Sequence, residues 1–308
     1  MSTPRAPGGG AIVGEAAQLC FELETASPWC QRWREHRHSW RHRGEGGFRA
    51  ERYAVAPVGQ GAARAFCGQH HYAGQPGPVR LSFGLFDLWQ EGVEGDPGLL
   101  AGVAALTVPM QEAVVTHVFP DLEPIAESVE LGRFVLLDEV PANAETWFLA
   151  RAFQGAAERG IRGVVSFADP VPRRDRRTGE VVFHGHRGVI YTASNALYLG
   201  RGTPRTLILL PDGSSLNARS LQKVRGCEAR GEAVVRRLVE LGARGPGGRG
   251  TGNARWLADA LDQVGAYRIR HRGCHRYAFR LGLTRRDRGG IRIGPEPREY
   301  PTAVDAAA

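Results

Sequence analysis

Three kinds of side chain in this sequence could act on a ligand, and most of them fall where an apolar run turns polar. Acids come first: Asp138 and Glu139 follow the run Val129 to Leu137 (VELGRFVLL), and Asp169 follows Gly163 to Phe167 (GVVSF). A carboxylate at the end of a strand can accept a proton from a substrate. Imidazoles and phenols come second, in His70-His71-Tyr72, in His184 and His186, and in Tyr191. Adjacent histidines on a strand point to opposite faces, whereas His184 and His186 would share one and could hold a metal or a phosphate. Arginine is the third kind. Arg173, Arg174, Arg176 and Arg177 crowd a hairpin-like insert, Pro172 to Phe183, that reads equally as a solvated turn or as a row of phosphate contacts. Arg133 stands alone in an apolar strand and needs a partner there, either Glu130 or Asp138 or a ligand.

The elements that must position these groups are legible in the periodicity. Between the two apolar runs, Phe148, Leu149, Ala152, Phe153 and Ala156 recur at helix spacing, with Asn143 as amino-terminal cap and Gly160 as stop. Strand, helix and strand in this order imply a parallel pair with a right-handed crossover. Ligands of such sheets sit beyond the carboxyl ends of the strands. The helix start at Asn143 to Thr146 points free N–H groups into that region, a seat for an anion. Upstream, Val79 to Leu88 and Leu100 to Val108 read as neighbouring strands. Downstream come a short helix over Thr192 to Tyr198, a strand over Thr203 to Leu210 and a turn at Pro211-Asp212-Gly213. Leu216 to Leu241 reads as helical with a break near Gly226 and Gly231, Asn253 to Val264 as a helix and His275 to Leu281 as a strand.

Composition bounds the rest. The chain has 308 residues, 42% of them hydrophobic and 23% charged, enough apolar matter for a sizeable core and too much for a disordered chain. No run reaches the ~18–20 apolar residues of a membrane-spanning helix, and Met1 to Gly10 lacks the apolar centre of an export signal. A cytoplasmic protein is expected. Its five cysteines are scattered without CxxC spacing, which argues against a zinc ribbon or a disulfide framework. The net charge of +8 draws phosphate polymers or acidic substrates. Arg32 to Arg43 gathers arginines and histidines around Trp33 and Trp40 and reads as a solvated helix face or a phosphate-tracking segment. The expected organisation is an arm and basic segment over residues 1–38, a catalytic domain over 39–285 carrying a glycine-rich linker at 244–252, and a tail over 286–308.

This order of elements resembles the GNAT-type N-acyltransferase fold, an α/β architecture with a mixed central sheet, a βαβ core and flanking helices. More specifically, several motifs resemble the phage Mom DNA-modification family. They are His70-His71-Tyr72, Glu130-Leu131-Gly132-Arg133 leading to Pro141 through Trp147, Ser166 to Pro170, Gly188 to Tyr191 with Ser194-Asn195, Tyr198-Leu199-Gly200, and His275-Arg276-Tyr277. The resemblance implies transfer of a carbamoylmethyl group to adenine N6 in double-stranded phage DNA, which shields the DNA from restriction in the host cytoplasm. It makes Asp169 the base for the N6 proton, Tyr191 a relay or stacking group, and His71 and Tyr72 lining residues. Leu137, Asp138, Asn143, Ala144, Glu145, Thr146, Ser194 and Asn195 would seat the donor. Arg187 would join the four insert arginines on phosphate. Iron, which the family also implies, would fall to His70 and His71. One departure matters: the turn Asp138 to Thr146 (DEVPANAET) has no glycine where GNAT enzymes cradle a pyrophosphate, so an acyl or glycine-derived donor other than acetyl-coenzyme A is favoured. Two rivals remain: a conventional N-acetyltransferase acting on a small molecule or protein, and a non-catalytic DNA-binding protein.

Overall fold

A computed structural model describes residues 29–216, 218–228, 231–247 and 253–301. These divide into two compact units. Of the described residues, the first takes Trp29–Asp169, His186–Arg201 and Cys274–Pro301; the second takes those of Pro170–Gly185 and Gly202–Gly273. The single domain expected over 39–285 thus contains parts of both. No helix among the described residues is long and apolar enough to cross a membrane.

The first unit opens with a hairpin, β1 (Trp29–Arg34) and β2 (Arg37–His42), paired in antiparallel register from Trp29↔His42 to Arg34↔Arg37. This segment is therefore not a helix face. Its arginines and tryptophans alternate between the two faces of a ribbon, and Arg32 and Trp33 are both buried. The hairpin also straddles the boundary expected after residue 38. Next come β3 (Tyr53–Pro57), α1 (Gln60–His70), β4 (Val79–Asp87), β5 (Leu99–Thr107), the short α2 (Ala113–Thr116), β6 (Ser128–Leu136), α3 (Ala144–Ala157) and β7 (Gly163–Ala168). His70 ends α1 and His71 caps it, so this histidine pair lies at a helix terminus rather than on a strand.

The second unit begins with the insert, a small hairpin of β8 (Arg173–Arg174) and β9 (Val181–Phe183). The first unit resumes with α4 (Val189–Ala193) and β10 (Leu197–Arg201). The helix expected over Thr192 to Tyr198 therefore lies earlier, and Tyr198 stands on a strand. Asn195, at φ 59°, breaks the helix and releases the chain into β10. The second unit continues with β11 (Arg205–Leu209), β12 (Ser215–Leu216), α5 (Ala218–Arg225), α6 (Glu232–Glu240), α7 (Ala254–Gln263) and β13 (Tyr267–His271). Its three helices bury Leu221, Val224, Val235, Leu238 and Leu257 against Leu210. Of the glycine-rich linker, residues 248–252 lie outside the described residues. Finally β14 (His275–Arg280) and the short α8 (Arg285–Gly289) belong to the first unit.

Seven strands of the first unit form one mixed sheet in the order β10-β14-β7-β6-β5-β4-β3. Only β6 and β7 pair in parallel, as a strand–helix–strand crossover requires. The helix face read from the sequence is the buried one: Phe148, Leu149, Ala152, Phe153 and Ala156 meet Leu85, Leu131, Val164 and Phe279 in the main core. Truncating such a phenylalanine to alanine costs about 3–5 kcal/mol. Gly160, at φ 86°, ends α3 in the left-handed conformation while the Ile161 N–H reaches back to the Ala156 carbonyl at 3.1 Å. Asn143 does precede the helix, but by another device than side-chain capping. It sits at φ 73° and its side chain makes no capping bond.

Candidate active site

Parallel pairing of β6 with β7 stops at Glu130↔Val165, although β6 runs on to Leu136 and β7 to Ala168. Beyond that point β6 keeps β5 as its neighbour and β7 keeps β14. The sheet therefore opens along the carboxyl halves of its one parallel pair, the place where ligands of such sheets gather. Polar groups from several segments of the first unit interact around Tyr191 and His71.

Tyr191 is buried on α4, its ring 5.3 Å from that of Tyr277 and 6.5 Å from that of His186. Gly188 makes this packing possible. It holds φ 80°, and a Cβ there would stand 2.6 Å from the Tyr191 ring and 2.8 Å from that of Tyr277. Burial pushes the Tyr191 phenol up, Glu130 adds to the rise, and Ser166 and Arg133 oppose it. Burial likewise pushes the Tyr277 phenol up, and its hydroxyl donates to the Arg187 carbonyl. Burial also holds Glu130 above the usual carboxylate range, against the pull of Arg133.

The imidazoles move the other way. Burial drives His186 down to about 4, against the opposing pull of the Asp169 carboxylate. Its amide donates to the Asp169 carbonyl at 2.7 Å, which ties the two residues together across the excursion of the chain into the second unit. Cys274 Sγ also stands within 4.8 Å of the Asp169 carboxylate. His71 is held well below its ordinary value by burial first, then by Arg133, His186 and His36. Its ring lies 4.4 Å from Tyr72, which in turn lies 4.9 Å from Trp33. At neutral pH these imidazoles and phenols are uncharged, able to pass or accept protons without a standing ion.

Arg133 finds neither of its expected acid partners as a hydrogen-bond acceptor. Its guanidinium donates to the carbonyls of Ala73, Gly74 and Gln75 at 3.0–3.1 Å, and so fastens the turn that follows Tyr72 to β6. Sequence reasoning leaves this role unseen because backbone carbonyls carry no residue signature. Ser166, Glu130 and His186 belong to the same cluster and were not among the expected catalytic residues. Ser166 is the most legible of them, one residue past the last parallel pair.

The expected donor seat lies at the amino terminus of α3 and is closely engaged by the hairpin. Arg32 is fully buried, pairs with Glu145, and donates to the carbonyls of Val140 at 2.9 Å and Pro141 at 2.6 Å. Ser39 donates to the Asp138 carboxylate, Arg41 to the Asp138 carbonyl at 2.6 Å, and Arg34 to Glu139. The Asn143 N–H meets the Cys30 thiol, whose pKa burial and Glu145 push up. Leu137 and Ala144 are buried, Thr146 is half-buried, and Asn143 is exposed. A coenzyme A pyrophosphate does not fit this terminus, where Asp138, Glu139 and Glu145 already stand and no glycine opens the backbone. On α4, Ser194 is the carboxyl-terminal cap and Asn195 is exposed.

His70 and His71 face different neighbours. The His70 ring lies 4.8 Å from Phe66 and its Nδ1 accepts from the Glu35 N–H, while His71 Nδ1 accepts from the Ala73 N–H. Among the described residues neither belongs to a group of three ligating side chains close enough to hold one ion. Iron therefore finds no fitting ligand set in this pair. Arg187 is buried with its guanidinium on the Pro301 carbonyl at 2.8 Å, an enclosed place for a phosphate contact.

Within the second unit, the insert arginines are exposed or half-buried and partly engaged. Arg173 lies over Phe183 at 5.0 Å and Arg176 over Tyr267 at 3.2 Å. Arg174 donates to the Gly179 carbonyl at 3.1 Å. Arg177 pairs with Asp175 at 2.7 Å and holds that carboxyl down at about 2.

A solved structure similar to this chain is a tandem GNAT protein from the clavulanic acid biosynthesis pathway, solved without AcCoA. It is 10% identical, with a TM-score of 0.31 over 75% of each chain. No curated protein matches the sequence. The model of the Mom protein family matches residues 52–244, a span that takes in α1, the β6–α3–β7 crossover and α4, with His71, Tyr72, Asp169 and Tyr191. Matched over more than half its length, the chain belongs to the Mom protein family.

Proposed function

We propose that this protein modifies DNA in the Mom manner, transferring a carbamoylmethyl, glycine-derived group to the exocyclic N6 of adenine in double-stranded phage DNA and so protecting it from restriction. Membership of the Mom family is the observation that carries this reading. The uncharged imidazole and phenol cluster at the β6–β7 opening supports it. Adenine N6 is a weak nucleophile, since its lone pair is delocalised into the ring. As the new N–C bond forms, the amine must lose a proton and the donor must release its leaving group. Asp169 takes that proton in this reading, and Tyr191 relays it or stacks on the base. The target base has to leave the duplex to be reached, and the half-buried ring of Tyr72, backed by Trp33 and His71, offers an aromatic face to receive it. Arg173, Arg174, Arg176 and Arg177 supply positive charge for the phosphates.

The crowded amino terminus of α3 favours a donor without a pyrophosphate over acetyl-coenzyme A. The test is mass analysis of nucleosides from the DNA of cells that express the protein. Deoxyadenosine heavier by one carbamoylmethyl group is the expected product. Deoxyadenosine heavier by an acetyl group would replace the donor, and unchanged nucleosides would end the reading.

A further inference from the structure

The charge of this chain is not evenly spread. Residues 170–185 and 202–273, which make up the second unit, hold 17 of the 40 lysines and arginines but only 8 of the 32 acids. The rest of the chain, with 23 basic and 24 acidic side chains, is balanced. The whole excess of +8 therefore belongs to the second unit, which carries +9 against −1 for the rest.

Where the acids of that unit are placed decides which arginines stay available. Asp175 pairs with Arg177, Asp212 and Glu240 with Arg237, and Glu228 with Arg219. The strand β13 reads Tyr-Arg-Ile-Arg-His and is followed by Arg272. It lies at the edge of a three-stranded sheet of order β12-β11-β13. Arg268 stands opposite Ile208 and Arg270 opposite Thr206, two positions apart and so on one face of the strand. Arg268, Arg270 and Arg272 are exposed, and none makes an ion pair with a described residue. Exposed guanidiniums in a row along and just after a strand, with no described carboxylate paired to them, keep their full charge for a regular line of anions.

We infer that the second unit is the part of this protein that grips the DNA backbone, with Arg268, Arg270 and Arg272 on and just after β13 as its principal phosphate contacts. The inference rests on the proposed DNA substrate but assigns contacts outside the cluster around Tyr191. The occupant is the duplex backbone, because a line of like charges complements a polyanion of regular spacing. A competing use of edge arginines is to keep strands of other molecules from pairing there.

The experiment measures binding of the full chain to an unmodified duplex as a function of salt. It compares R268Q/R270Q with R285Q/R286Q, an equal loss of charge on exposed arginines of the first unit. Removing two arginine–phosphate pairs should reduce the slope of log K against log salt by roughly 1.8 in R268Q/R270Q, with R285Q/R286Q following the parent. Equal slopes in the two variants, or a parent that does not bind duplex, overturn the assignment. So does self-association of R268Q/R270Q with the parental slope, which would mark β13 as a guarded edge. Nucleoside mass analysis on the same proteins separates the two readings: modified adenine with equal slopes removes this inference alone, whereas a lowered slope without modified adenine removes the transferase reading alone.

Discussion

The amino terminus of α3 and the opening between β6 and β7 belong to one strand–helix–strand unit, and both are rich in ionisable groups. They settle those groups in opposite ways. At the helix terminus each acid meets a partner of opposite charge or a donor: Glu145 meets Arg32, Glu139 meets Arg34, and Asp138 meets Ser39. Around Tyr191, burial instead favours the uncharged forms: His71 and His186 are pushed down, Tyr191 and Glu130 up. Compensated charge fixes a hairpin to a helix. Groups held neutral next to one another are what proton transfer requires. The feature that looked most like a ligand seat in the sequence is thus the one the fold uses for cohesion.

This contrast can be broken from either side. The largest effect expected is Asp169→Ala, which should lower modification by about 10²–10⁴-fold with an unchanged urea midpoint; full activity in this variant would remove Asp169 from the mechanism. Arg32→Ala should act in the reverse sense. It strands the Glu145 carboxylate and should cost about 3–5 kcal/mol in urea unfolding, with the folded fraction keeping its activity. A loss of activity beyond the loss of folded protein would return the helix terminus to the site.

The next effect concerns pH. His186 titrates near 4 when folded, against about 6.5 unfolded, so between these values the unfolded chain binds the extra proton and stability falls as pH falls. The loss is at most about 3 kcal/mol and is complete below pH ~4. His71 shifts in the same direction. His186→Gln should flatten the decline of the thermal midpoint from pH 7 to 4; an unchanged decline would mean that His186 is charged in the folded protein. The smallest effect is Tyr191→Phe. A relay shared with other groups should lose about tenfold in rate, about 1.4 kcal/mol, with little change in DNA affinity.

The crossover was legible because its signals are local. Two apolar runs, a five-residue face at helix spacing and a terminal glycine all fall within residues 129–167. The hairpin was not, because the burial of Arg32 depends on Glu145, 113 residues away, and a chain of tryptophan, arginine and histidine has no apolar alternation. The same holds for β13, whose arginines hide a strand, and for α1, whose end carries His70 and His71. Of the candidate site, Tyr191, His71 and Tyr72 could be named from their types and places. The imidazole of His186 and the carbonyl clamp of Arg133 depend on how segments far apart in the chain fold together, and no spacing announces them.

The order of the large sheet sets a limit on how this protein can be cut. The strand between β10 and β7 is β14, drawn from residues 275–280. A recombinant fragment trimmed to the matched span would end at 244 and leave a gap one strand wide in the sheet, with the Tyr277 ring missing from beside Tyr191. Such a piece, which also lacks β1, β2, α7 and β13, should be recovered as insoluble material.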